Sequence, residues 1–174
     1  MRIIGIDPGS VVTGYGVIES DGVINRYIAH GSVRLGDGEM PDRLATIFAT
    51  LGEKIREWQP TESAVEQVFM NNNAASALKL GQARGVAICA CVINGLPVAE
   101  YSAKSVKQSV VGNGNATKTQ VQHMVKTLLN FKGEIQADAA DALAVALCHG
   151  HSRQLRGGIA LQTTRRRVVR RQSI

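Results

Sequence analysis

What most limits the folds open to this chain is a change of hydrophobic period near residue 40. Before it, three apolar runs of period two, Ile3 to Asp7, Thr13 to Glu19 and Val23 to Ser32, are separated only by "PGSVV" and by a turn at "SDG". Alternation predicts strands, and connections this short predict antiparallel neighbours. After it, "PDRLATIFATLGEKIREW" carries Leu44, Ile47, Phe48, Leu51, Ile55 and Trp58 at three-and-four spacing. That spacing predicts an amphipathic helix beginning after Pro41 and ending before Pro60.

Strands and helices then alternate. "SAVEQVF" reads as a strand, Asn73 to Asn94 as a long helix closed by Asn94-Gly95 and Pro97, and "LPVAEYS" as another strand. Helices follow around Ser102 to Val110, from Lys118 to Leu129 and from Asp138 to about His149. Thr117 with Gln120 forms a capping box that fixes the start of the second of these. A meander followed by alternation predicts an α/β protein with one mixed five-stranded sheet, three antiparallel strands and then two parallel ones, flanked by helices.

The length suits one globular domain over 1–150. The net charge of +6 is unevenly distributed: residues 1–150 carry 13 Lys and Arg against 14 Asp and Glu, whereas 151–174 carry 7 Arg and no acid. Residues 151–174 therefore read as a basic, flexible tail suited to a polyanion. No run of eighteen apolar residues and no signal-peptide layout is visible, which predicts a cytoplasmic protein without a membrane partner. Cys89, Cys91 and Cys148 lack metal-ligand spacing and read as small core residues of a reducing compartment. His123, His149 and His151 read as helix-surface or helix-end residues.

The acids are more informative. Asp7 and Glu66 each follow an apolar strand, where a carboxylate is costly unless it is solvated, paired or holding a cation. Asp7 also suits an Asx-turn, since Pro8 and Gly9 follow it. Asp138 and Asp141 leave one side of a helix whose inner face carries Leu143, Ala146 and Leu147, and both also suit a first helical turn. If the strands of Asp7 and Glu66 are neighbours and that helix packs across their ends, four carboxylates meet. At ~4 Å each ionised pair costs about 4 kcal/mol at an effective dielectric near 20, so divalent cations are needed to offset it. Hard oxygen donors suit Mg²⁺ or Mn²⁺. Two such ions would activate water against a phosphodiester.

"IGIDPGSVVTGYGVI", "AVEQVFMNNNAASALKLGQARG" and "DAADALAVALCH", in this order and at this spacing, resemble the RuvC family of Holliday junction resolvases over about residues 1–150. The resemblance implies a ribonuclease-H-like fold, a homodimer, and Mg²⁺-dependent paired nicking of a four-way DNA junction in recombination and repair, with two ions per subunit and Mn²⁺ able to substitute. It puts catalytic, metal-binding roles on Asp7, Glu66, Asp138 and Asp141, DNA contacts on Lys107 and Lys118, and a junction-engaging ring on Phe69. It also implies cooperation with a branch-migration motor of the RuvA and RuvB kind.

On the long helix, Ala74, Ala77, Gly81 and Gly85 form a stripe of small residues. The stripe suits either the protein's own sheet or a second subunit, and the resemblance implies the second. Two other functions fit parts of the pattern. An actin-like ATPase shares the strand, turn and hairpin of the opening motif, but would need a second lobe and a second phosphate loop. A non-catalytic junction-binding protein would use the Arg-rich tail and keep the acids as helix caps.

Overall fold

The computed structural model describes residues 1–68 and 73–153. Its centre is a five-stranded sheet of β1 (Arg2–Asp7), β2 (Val12–Ser20), β3 (Asn25–Arg34), β4 (Glu62–Gln67) and β5 (Val98–Ser102). The order across the sheet is β3-β2-β1-β4-β5. Strands β1 to β3 form the antiparallel meander, while β4 and β5 run parallel to β1. The expected mixed sheet is therefore present, with β1 in the middle and buried on both faces.

The pleat sorts the strand residues between two cores. Ile4, Ile6, Val17 and Val65 face α1 (Met40–Trp58) and α2 (Ala74–Ile93) through Ile47, Leu51, Ile55, Ala83, Ala87 and Cys91. Ile3, Ile18 and Ala64 face the other layer. That layer holds α3 (Ala103–Val111), α4 (Lys118–Leu128) and α5, which spans residues 137–153. Helix α5 is the most enclosed: Ala142, Leu143, Ala144, Val145, Ala146 and Leu147 are completely buried.

Helix ends follow local chemistry. Asn73 and Ser102 cap α2 and α3 by accepting from the backbone N–H three residues on. Thr117 and Gln120 make the capping box reciprocally. Helix α1 starts at Met40, with Pro41 inside its first turn, where its missing N–H has no partner to lose.

Helix α2 bears on three expectations and overturns the one for Cys89. It is long and apolar enough by composition to pass as a membrane span, yet it carries Lys79 and Arg84, the latter ion-paired with Glu100 of β5. One face, Ala83, Ala87, Ala90 and Cys91, packs on the protein itself. The small-residue stripe lies elsewhere: Gly81 and Gly85 are exposed, with no atom near where a Cβ would stand. Cys89 is also exposed, so only Cys91 and Cys148 are core cysteines.

Candidate active site

Strand pairing alone brings the first two acids together. Ile6 is the parallel partner of Val65, so Asp7 and Glu66 emerge next to each other at the C-terminal edge of the sheet, about one strand spacing (~4.8 Å) apart. Asp141 arrives from the opposite layer on α5. With Lys107 of α3 and Lys118 of α4, these three carboxylates line a cleft of about 200 Å³ walled by Ala103, Val106, Val121 and Ala144. Asp138, one turn earlier on α5, does not line the cleft. Its charge acts on Asp7, Asp141 and Lys118, and its backbone carbonyl rests against β2 at Gly14.

Three glycines set the height of α5 above the sheet. A Cβ on Gly5 would lie 2.2 Å from the Ala142 carbonyl oxygen, one on Gly14 2.0 Å from that of Asp138, and one on Gly16 2.6 Å from Leu143 Cγ. Real side chains essentially never sit under 3.0 Å from such atoms. Glycine is thus required here to let helix and strand backbones touch. This floor puts Asp141 low enough to meet Asp7.

The electrostatics of the cleft are those of acids crowded out of water. The Asp7 carboxyl is pushed up to about 8, first by burial and then by the charges of Glu66, Asp141 and Asp138. Burial likewise raises Glu66 and Asp141 above the usual carboxylate range. Lys118 opposes the rise at Asp141, with Nζ 3.3 Å from Oδ2, and its own ammonium is held above its ordinary value mainly by that aspartate. The Lys118 side chain remains 76% exposed, so it can still reach outward from the cleft.

Among the described residues, no group of three or more His, Cys, Asp or Glu side chains is already arranged as a metal site, so the fit rests on the donors. Asp7, Glu66 and Asp141 offer only hard oxygens, and a cation would relieve the repulsion that lifts Asp7. Both features suit a small divalent ion, and the absence of thiolate and imidazole disfavours zinc.

Of the residues expected at the site, Asp7, Glu66, Asp141, Lys107 and Lys118 converge on one cleft, and Asp138 stands beside it. Phe69 lies outside the described residues, as do residues 154–174. The histidine expectation needs correction at one position. His149 is 5% exposed, its Nε2 2.6 Å from Glu62 Oε2 and its Nδ1 2.9 Å from the Tyr101 hydroxyl. Helix α5 continues past it to 153, which turns an expected helix end into an interior position. The glycine floor was also missed, although glycines inside a strand at Gly14 and Gly16 were its signal.

A mixed five-stranded sheet whose central strand ends in an acid, beside a second strand-end acid and beneath a helix bearing a third, defines the ribonuclease-H-like class. Comparison with known proteins narrows this. Residues 3–149 match the family model described as crossover junction endodeoxyribonuclease RuvC. The chain is 57% identical over 152 residues to the RuvC of Shewanella amazonensis, covering 87% of this chain and 88% of that one. To the RuvC of Dichelobacter nodosus it is 56% identical over 153 residues, covering 88% and 87%. Among solved structures it resembles Thermus thermophilus RuvC in complex with a Holliday junction substrate, with a TM-score of 0.83, 32% identity, and coverage of 89% and 96%. The chain belongs to the RuvC family.

Proposed function

We propose that this protein is a Holliday junction resolvase, an endodeoxyribonuclease that opens four-way DNA junctions by two symmetric phosphodiester hydrolyses. The observation that carries the reading is the meeting of Asp7, Glu66 and Asp141 with Lys107 and Lys118 in one cleft, within a chain matched to that family over residues 3–149. Neither the actin-like ATPase nor the non-catalytic binding module draws support from that match.

Asp7, Glu66 and Asp141, joined by Asp138, would hold Mg²⁺, with Mn²⁺ as substitute and two ions per subunit. Such ions supply Lewis-acid polarisation of the scissile phosphate and a more acidic water. The residues themselves do the rest. Burial of Asp7 and Glu66 keeps bulk water from screening their charge. Lys118, in the first turn of α4, directs an ammonium and the open N–H groups of a helix start at an incoming phosphate. Lys107 meets the same phosphate from α3. Asp141 holds the Lys118 ammonium at the cleft until the substrate arrives.

A four-way junction offers two equivalent strands, so a two-fold homodimer with one cleft per subunit matches it. The exposed stripe of α2, with Gly81, Gly85 and a Leu78 that is 71% exposed, is the surface we assign to the dimer. Phe69 serves as a stacking ring at the junction centre. The arginines of the basic tail beyond Arg153, which is itself paired with Glu62, serve as a further DNA contact. A cytoplasmic location and a RuvA and RuvB branch-migration partner belong to the same reading.

The test is incubation of the protein with labelled four-way junctions and matched linear duplexes, with and without Mg²⁺. Symmetric nicks in the junction alone are expected. Equal cutting of the linear duplex, or ATP turnover without DNA, would overturn the reading.

A further inference from the structure

A second concave surface lies on the opposite side of the start of α5, between the outer strand β3 and the segment 134–136. It is a cleft of about 540 Å³ lined by His30, Gly31, Ser32, Arg34, Glu134, Ile135 and Gln136. Position connects it to the acids. Asp7 is the cross-strand partner of Gly14, and Gly14 is the partner of Ser32. Residues on one rung of a pleated sheet point to the same face, and each strand adds ~4.8 Å. Ser32 therefore stands about 10 Å from Asp7 on the same face, with the first turn of α5 between them.

The polar groups of this cleft lack the partners that such groups ordinarily have. The Ser32 hydroxyl and the His30 Nδ1 are enclosed, and neither has a hydrogen-bond partner among the described residues. Buried polar atoms left in this state are uncommon and call for an explanation. The Arg34 guanidinium, two residues further along the same face, has no ion pair or hydrogen bond among the described residues, although Glu134 lines the same cleft. Arginine and hydroxyl donors converging from an edge strand match the oxygens of a phosphate.

We propose that the cleft between β3 and residues 134–136 is a second phosphate subsite, in which Arg34 and Gln136, joined by the Ser32 hydroxyl turned outward about χ1, hold a backbone phosphodiester of the DNA strand whose scissile phosphate sits at Asp7. It rests on the junction-cutting reading and adds to it a grip on the same strand beyond the cut. Successive phosphates on one strand lie further apart than the ~3.4 Å axial rise, because they also turn around the helix, so ~10 Å places the gripped phosphate within one or two nucleotides of the scissile one. The His30 ring backs the subsite, and burial keeps its imidazole below its usual value. Glu134 stands at the lip as a repulsive charge, which gives the proposal a signed consequence.

The experiment measures four-way junction binding by the full-length protein in chelator, so that no cleavage occurs, across a series of KCl concentrations. Arg34→Ala is expected to weaken binding about tenfold and to reduce the slope of log affinity against log salt by about 0.9, the loss of one phosphate contact. Ser32→Ala should weaken it about threefold, and Glu134→Gln should tighten it about twofold. Arg34 and Glu134 are exposed, so neither change endangers folding, which circular dichroism verifies. Unchanged affinity and salt slope in Arg34→Ala, or a loss of affinity with no change of slope, would overturn the subsite. In either case the wild-type protein would still bind and nick junctions, whereas a wild type that does neither refutes the functional reading instead.

Discussion

Replacing Gly14 by alanine would test whether the contact between α5 and the sheet places the acids. The added Cβ would stand 2.0 Å from the carbonyl oxygen of Asp138, against a closest tolerable approach of 3.0 Å, so about 1 Å of movement is required. The obstacle is backbone rather than a flexible side-chain end, and β2 is clamped between β1 and β3. The movement therefore falls on the first turn of α5, which carries Asp138 and Asp141. Overpacking of this kind costs about 1–3 kcal/mol, leaving the protein folded, whereas a 1 Å displacement of reacting groups slows chemistry on the order of 10²-fold. Single-turnover junction cleavage beside thermal melting separates the two effects. Gly38→Ala, outside both the cleft and the α2 stripe, is the control, because its Cβ would meet only Asp42 Cβ at an ordinary 3.8 Å. Cleavage by Gly14→Ala at the wild-type rate, with a normal melt, would refute the claim that this floor positions the acids.

Three further outcomes are expected. Because Asp7 in the folded protein titrates near 8 rather than at the ordinary 3.8, the native state holds a proton that the unfolded chain has lost throughout that interval, so stability in chelator falls as pH rises across it. Asp7→Asn should then be the more stable protein at pH 7, on the order of 4 kcal/mol, with no difference near pH 4; pH-dependent urea denaturation reads this, and a wild type as stable as the variant at pH 7 would contradict it. Lys118→Ala should slow cleavage on the order of 10²-fold while shifting stability by less than about 0.5 kcal/mol, as kinetics and melting together will show. His149→Phe should destabilise the protein by about 1–3 kcal/mol in a denaturant titration, because the Glu62 carboxylate loses a buried partner.

Much of the architecture was legible because it is encoded locally. Period two in the first three strands, the switch to three-and-four spacing in α1 and the capping box at Thr117 each depend on residues close in sequence. The adjacency of Asp7 and Glu66 needed only the inference that their strands are parallel neighbours. What escaped depends on pairs far apart along the chain. Glu62 and His149 are separated by 87 residues, and no periodicity announces that one will be buried against the other. Which face of α2 turns inward was also ambiguous, because alanine and glycine occupy both faces and carry too little apolar contrast to choose. The glycines under α5 went unread, because their meaning requires knowing which helix crosses those strands.

The far end of α5 holds a practical instruction. Glu62, at the beginning of β4, engages His149 through one oxygen and Arg153 through the other at 2.9 Å, so the last described turn is stitched to the sheet. A shortened version for crystallisation or fusion that stopped at residue 150, where the compositional boundary lies, would sever Arg153 from its carboxylate and unwind the helix from its rear. Trimming should begin after 153.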